Sequence, residues 1–116
     1  MWNFYLIDKN TALTLTQILK LEAAIGYGML SVKRGIYRMY KNFAETGTEP
    51  DPEWEQMCSM GLATRHRAFG RRYVYRATQL GIDIVGMITG AKIRMADNIF
   101  TGKELEEDGD DLQGLC

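Results

Sequence analysis

Residues 61–81, GLATRHRAFGRRYVYRATQLG, hold Arg65, Arg67, Arg71, Arg72 and Arg76 together with His66, Phe69, Tyr73 and Tyr75. A guanidinium offers a rigid fork of donors that fits phosphate or carboxylate, so the stretch carries the means to grip an anion. A second basic set precedes it. Arg34, Arg38 and Lys41 stand at i, i+4 and i+7, the spacing that lines three side chains along one ridge of a helix, and no acid follows until Glu45. Tyr37 and Tyr40 lie among them. Tyrosines can stack on bases, but at helical spacing they are expected in a core.

No catalytic constellation accompanies these cations. His66 is the sole histidine, and no serine, cysteine or carboxylate stands around it in the spacing of a nucleophile–base pair. The segment GMITGAK at 86–92 lacks the Walker spacing, and DGDD at 108–111 lacks the alternating ligands and closing glutamate of a calcium loop. Neither a metal site nor a cofactor is expected, and the chain reads as non-enzymatic.

The elements that must position the arginines follow from local pattern. Residues 2–7, aromatic and aliphatic, read as a strand. Thr14 or Thr16 caps a helix whose stripe is Leu15, Ile18, Leu19, Glu22 and Ile25, stopped by Gly26 and Gly28. Residues 31–43 read as a second helix, with Ile36, Met39, Tyr40 and Phe43 inward and Arg34, Arg38 and Lys41 outward. After a loop with two prolines, Asp51-Pro52 opens a short helix as N-cap and first turn, its early acids Glu53 and Glu55 favouring the dipole, and Gly61 ends it. Residues 62–68 and 72–77 form two strands about Phe69-Gly70-Arg71. On the first, Ala63, Arg65 and Arg67 share a side. Thr78 caps a long last helix in which Gly86 and Gly90, four apart, mark either a close approach to a neighbour, such as a second copy in a homodimer, or an end near Gly90.

The totals describe one domain of 116 residues with 46% hydrophobic and 25% charged residues, an ordinary globular balance. Net charge is −1 but unevenly spread. From Lys103 to Cys116, six acids (Glu104, Glu106, Glu107, Asp108, Asp110, Asp111) face one lysine, a local −5, leaving +4 on residues 1–102. The chain therefore divides into a basic domain, 1–102, and an acidic tail, 103–116, expected to be solvated and disordered. Two cysteines without a CxxC pair point to a reducing compartment. The opening MWNFYLIDKN has no basic n-region, and the longest apolar run is too short for a bilayer, so a cytoplasmic protein without a membrane partner is expected.

Helix, helix, short helix, hairpin, helix is the order of a winged helix-turn-helix. Gly61-Leu62-Ala63-Thr64-Arg65, the basic hairpin, and then Tyr73 through Thr78-Gln79-Leu80-Gly81 resemble the wing region of MarR-type regulators, where a glycine-leucine pair leads into the wing and a threonine three residues before a glycine opens the next helix. Residues 34–87 are also similar to small proteins encoded by phages and prophages. The resemblance implies an α+β winged-helix domain of three helices, a hairpin wing and a C-terminal helix, with the short helix in the major groove and the wing beside it. It departs from that pattern at the short helix, which carries Glu53 and Glu55 and no cation.

Two functions follow as expectations. In the first the chain is a nucleic-acid-binding regulator whose Arg34, Arg38, Lys41, Arg65, Arg67, Arg71, Arg72 and Arg76 contact the phosphate backbone. In the second it is a protein-binding inhibitor of a host or defence protein, anti-CRISPR-like or another anti-defence factor. Its interface would then be Glu53, Glu55, Glu104, Glu106, Glu107 and Asp108.

Overall fold

The computed structural model describes residues 4–8 and 11–103. It is an α+β domain. Strands β1 (Phe4–Asp8) and β2 (Thr11–Thr14) pair antiparallel and lead into helix α1 (Leu15–Ala24). Strand β3 (Ile36–Lys41) follows, then the two-residue β4 (Ala44–Glu45), helix α2 (Pro52–Ser59), and the hairpin of β5 (Ala63–Arg67) and β6 (Tyr73–Ala77). Helix α3 (Gln79–Thr89) and strand β7 (Lys92–Phe100) complete the chain. Strand β6 is central in a three-stranded sheet of order β4-β6-β5, while β3 and β7 form a separate parallel pair. A single core gathers Leu13, Ile18, Leu21 and Ile25 from the α1 region, Tyr37 and Met39 from β3, and Trp54 and Met57 from α2. Val85 of α3 joins them.

Local chemistry sets the helix starts as the sequence indicates. Thr14 forms a reciprocal capping box with Gln17, Asp51 accepts from the Trp54 amide at 3.0 Å ahead of Pro52, and Thr78 accepts from the Gly81 amide. Gly61 takes φ +78 just past α2, and the frame around the hairpin then locks. The Thr78 amide donates to the Leu62 carbonyl at 2.9 Å and the Thr78 hydroxyl to the Gly61 carbonyl at 2.7 Å. Gly81 packs so tightly on that Leu62 carbonyl that a Cβ there would collide with it. Gly61, Leu62, Thr78 and Gly81 are one joint.

Residues 31–43 are not a helix. Met29–Ser31 make one 3-10 turn, and Lys33 to Ile36 close a tight reversal. The Lys33 amide donates to the Ile36 carbonyl at 2.8 Å and the Ile36 amide returns to Lys33 at 2.9 Å. Two consecutive left-handed residues, Arg34 at φ 54 and Gly35 at φ 78, give it the backbone of a primed turn. Beyond it Tyr37 and Met39 alternate into the core, as a strand requires. The apolar residues from Ile36 to Phe43 fit either period. Glycine at 35, the aromatic and aliphatic side chains and the availability of β7 as a partner decide for the strand. The ridge expected from Arg34, Arg38 and Lys41 is therefore broken: Arg38 faces outward, while Lys41 falls on the opposite parity with its ammonium 4.8 Å from the Phe43 ring.

The last helix stops at Thr89 with Gly90 left-handed as its cap. Gly86 does make a close approach, to the chain itself: a Cβ there would lie 3.1 Å from the Ala91 carbonyl oxygen and against Ile93. Gly86 and Gly90 thus serve the helix end and the turn into β7, while Leu80, Met87 and Ile88 of the same helix stay exposed. Among the described residues no helix is long and apolar enough to cross a membrane. Cys58, 7% exposed in α2, is not a free thiol, so it lends no support to the reducing compartment expected from the cysteine pattern.

Candidate functional site

The hairpin is present, but of its arginines all except Arg71 are engaged. In the register Arg65 pairs with Tyr75 and Arg67 with Tyr73, so these side chains share a face with the rings that pack on α2. Trp54 stacks on Tyr75 at a centroid distance of 5.4 Å, and Tyr75 on Tyr73 at 6.3 Å. Arg65 donates to a Glu55 oxygen at 3.0 Å, and the guanidinium of Arg67 lies 5.1 Å from the Tyr73 ring. Arg72 reaches Glu45 at 3.4 Å, and Arg76 donates through Nε to the Thr101 carbonyl at 2.8 Å. Arg71, at φ 62 on the turn, stands exposed without an ion pair among the described residues. A hairpin expected to present five cations presents chiefly Arg71 and the outer part of Arg72.

The acids of α2 face the same way. Glu55 accepts from Arg65 with one oxygen and, with the other, from the Tyr75 hydroxyl at 2.6 Å. Burial, then the Glu55 carboxylate, pushes the Tyr75 phenol well above its ordinary range. Glu53 receives a long bond from the Thr14 hydroxyl at 3.5 Å, and Asp51 pairs with Lys20 at 3.1 Å. Burial acts to raise the Asp51 carboxyl, yet the Trp54 amide, Lys20 and the Glu53 amide together hold it below its ordinary value. Glu55 is thus balanced by Arg65 within the fold, while Glu53 has no cationic partner among the described residues. Glu104, Glu106, Glu107 and Asp108 lie outside the described residues.

The unbalanced cations lie elsewhere. In the parallel register of β3 and β7, Ile36 pairs with Lys92 and Arg38 with Arg94. Lys92, Arg38 and Arg94 are exposed, and Lys33 and Arg34 stand exposed in the turn just before β3, tied to β7 by the Lys92 amide donating to the Gly35 carbonyl at 2.8 Å. None of the five has an ion pair among the described residues. Like charges directly opposite on a sheet repel, so the arrangement disfavours itself unless an anion sits on it. Tyr40, two residues beyond Arg38 on the same face, is 55% exposed. No cluster of metal-ligating side chains exists among the described residues.

No family model, curated protein or solved structure matches the chain. Of the cations expected to bind together, Arg34 and Arg38 share the new cluster with Lys33, Lys92 and Arg94. Lys41 and the hairpin arginines do not. Lys92 and Arg94 come from the stretch after Gly90, for which the sequence pattern had suggested no element. Their signal was the alternation Lys92-Ile93-Arg94 directly after a glycine stop, a strand pattern. A helical period over 36–43 would turn Tyr40 inward, whereas the strand turns it out to solvent.

Proposed function

We propose that the chain is a non-enzymatic module that binds nucleic acid through its phosphates, with Lys33, Arg34, Arg38, Lys92 and Arg94 as the main contact and Arg71 as a second point. One observation carries the proposal: five exposed cations are gathered on two adjacent strands and their turn with no carboxylate paired to them among the described residues. Phosphate contacts supply most of the affinity of such modules and need concentrated, uncompensated charge. The sequence resemblance to winged-helix regulators implies the same class of ligand, and the hairpin it expects is present as β5 and β6. Between β4 and β5 stands one helix in place of a helix-turn-helix pair, and that helix carries no free cation. Docking by a recognition helix in the major groove is therefore not part of the proposal.

The rival protein-binding role keeps one supporting observation. Met29 and Leu30, at 81% and 93% exposure, put adjacent apolar side chains in solvent, which suits a protein partner.

Fluorescence anisotropy with mixed-sequence oligonucleotides at low salt tests the proposal. Wild type is expected to bind, and Arg38→Glu with Arg94→Glu to weaken binding at least about tenfold while flattening its salt dependence. Lys20→Gln, at a cation already paired with Asp51, is expected to change affinity less than about twofold. Absence of binding by wild type at low salt would overturn the proposal and favour the protein partner.

A further inference from the structure

The geometry points to a single strand of nucleic acid, laid across the β3–β7 face with a base stacked on Tyr40, as the ligand of this surface. The inference rests on the phosphate-binding role just proposed and names its substrate class. Residues two apart on a strand line one face, so Ile36, Arg38 and Tyr40 form three successive steps along β3, with Lys92 beside the first and Arg94 beside the second. Cations thus lead towards an exposed aromatic ring, which stands where the register with β7 shifts between Met39 and Lys41. That is the composition of surfaces that track a backbone by charge and stack bases by π-face, independent of sequence.

Tyr40 is suited to the role because its ring is braced. A Cβ on Gly26 would lie 2.7 Å from the Tyr40 Cε1, so the ring rests directly on the Gly26 backbone. A ring held on one side and 55% open to solvent loses little freedom when a base covers it. The duplex alternative lacks an inserting element. Major-groove readers push a helix or a two-stranded ribbon between the phosphate walls. Here α2 carries no cation and the β5–β6 ribbon leaves only Arg71 unengaged among the described residues, whereas β3 and β7 form a face backed by the core through Tyr37 and Met39. A face of that shape suits an open strand whose bases are unstacked.

The test compares a fluorescein-labelled oligo-dT 15-mer, an abasic 15-mer of equal charge and a 15-base-pair duplex by anisotropy across a salt series. The expected order is oligo-dT tightest, with the duplex and the abasic strand each about tenfold weaker. For oligo-dT, log K should fall with log salt at a slope of about −3.5, as phosphate contacts from the five cations to a single strand give. Tyr40→Ala should reduce oligo-dT binding about tenfold, leave abasic binding and the salt slope unchanged, and Tyr40→Phe should restore affinity because the ring suffices. Tyr40→Phe together with the abasic strand keeps the test valid if the alanine variant folds poorly. Equal binding of the abasic strand, or a duplex as tight as oligo-dT, with both lost in Arg38→Glu/Arg94→Glu, overturns the single-strand inference and leaves phosphate binding standing. No binding to any of the three overturns both.

Discussion

Glu55 is shared between Arg65 and Tyr75, so its loss should be felt on both strands of the hairpin. Glu55→Ala leaves a half-buried guanidinium and a phenol in a fully buried residue without this acceptor. With partial exposure moderating the cost, urea unfolding should show a loss of about 2 kcal/mol with an unchanged m-value. Two other carboxylates give opposite responses to acid. The folded state holds Asp51 below its ordinary value, so its contribution is present at neutral pH and is lost as pH falls through the folded value, below about 4. Glu22 is raised by burial, so its ionised form weakens the fold at neutral pH, and this cost disappears as pH falls through the raised value. Thermal melts should therefore show Asp51→Asn destabilising at pH 7 and neutral near pH 2. Glu22→Gln should stabilise at pH 7 and be neutral near pH 3. On the alkaline side Tyr37, pushed up to about 12 by burial and then by Tyr40, donates to the Ile25 carbonyl at 2.7 Å. Its stabilisation holds below about 10 and is lost as pH rises towards 12.

The tight turn and the hairpin frame answer to different physics. Arg34 at φ 54 pays a left-handed penalty that asparagine there would reduce. Arg34→Asn should therefore raise stability by about 0.5 kcal/mol and weaken oligonucleotide binding, a separation that melts and anisotropy on the same sample would show. At Gly81 the obstacle is contact rather than torsion. A methyl group there meets the Leu62 carbonyl, and Gly81→Ala should cost about 2 kcal/mol or more in urea unfolding. These two elements also show what was legible in the sequence. The joint of Gly61, Leu62, Thr78 and Gly81 could be read because caps and glycine stops are local, each decided within a few residues. Strand β3 could not, because Ile36, Met39, Tyr40 and Phe43 satisfy a helical period as well as Tyr37 and Met39 satisfy a strand. The deciding partner β7 lies more than fifty residues later. The candidate site inherited that error. Charge balance on the hairpin is likewise non-local, since Glu45 and Glu55 come from outside it.

Across the whole molecule, charge is the property most open to test. Residues 1–102 carry +4 and residues 103–116 carry −5, whatever path the latter take. A polyanion approaching the chain meets the field of both, and within a Debye length of about 10 Å at 0.1 M salt the acids oppose its approach. Ending the chain after Gly102 changes its net charge from −1 to +4 without removing any cation of the β3–β7 face. Oligonucleotide binding should then tighten several-fold at about 0.05 M salt, chiefly through a faster association rate, and the difference should close as salt approaches 1 M. Stopped-flow anisotropy on the full chain and the shortened one separates the two rates. A gain in affinity that persists at 1 M salt would mean the acids act by occupying the basic face rather than through their field, since close contacts are screened less than distant ones. An unchanged association rate would mean that the cations of β3 and β7 are already shielded from residues 103–116. Their affinity would then be set by the face alone.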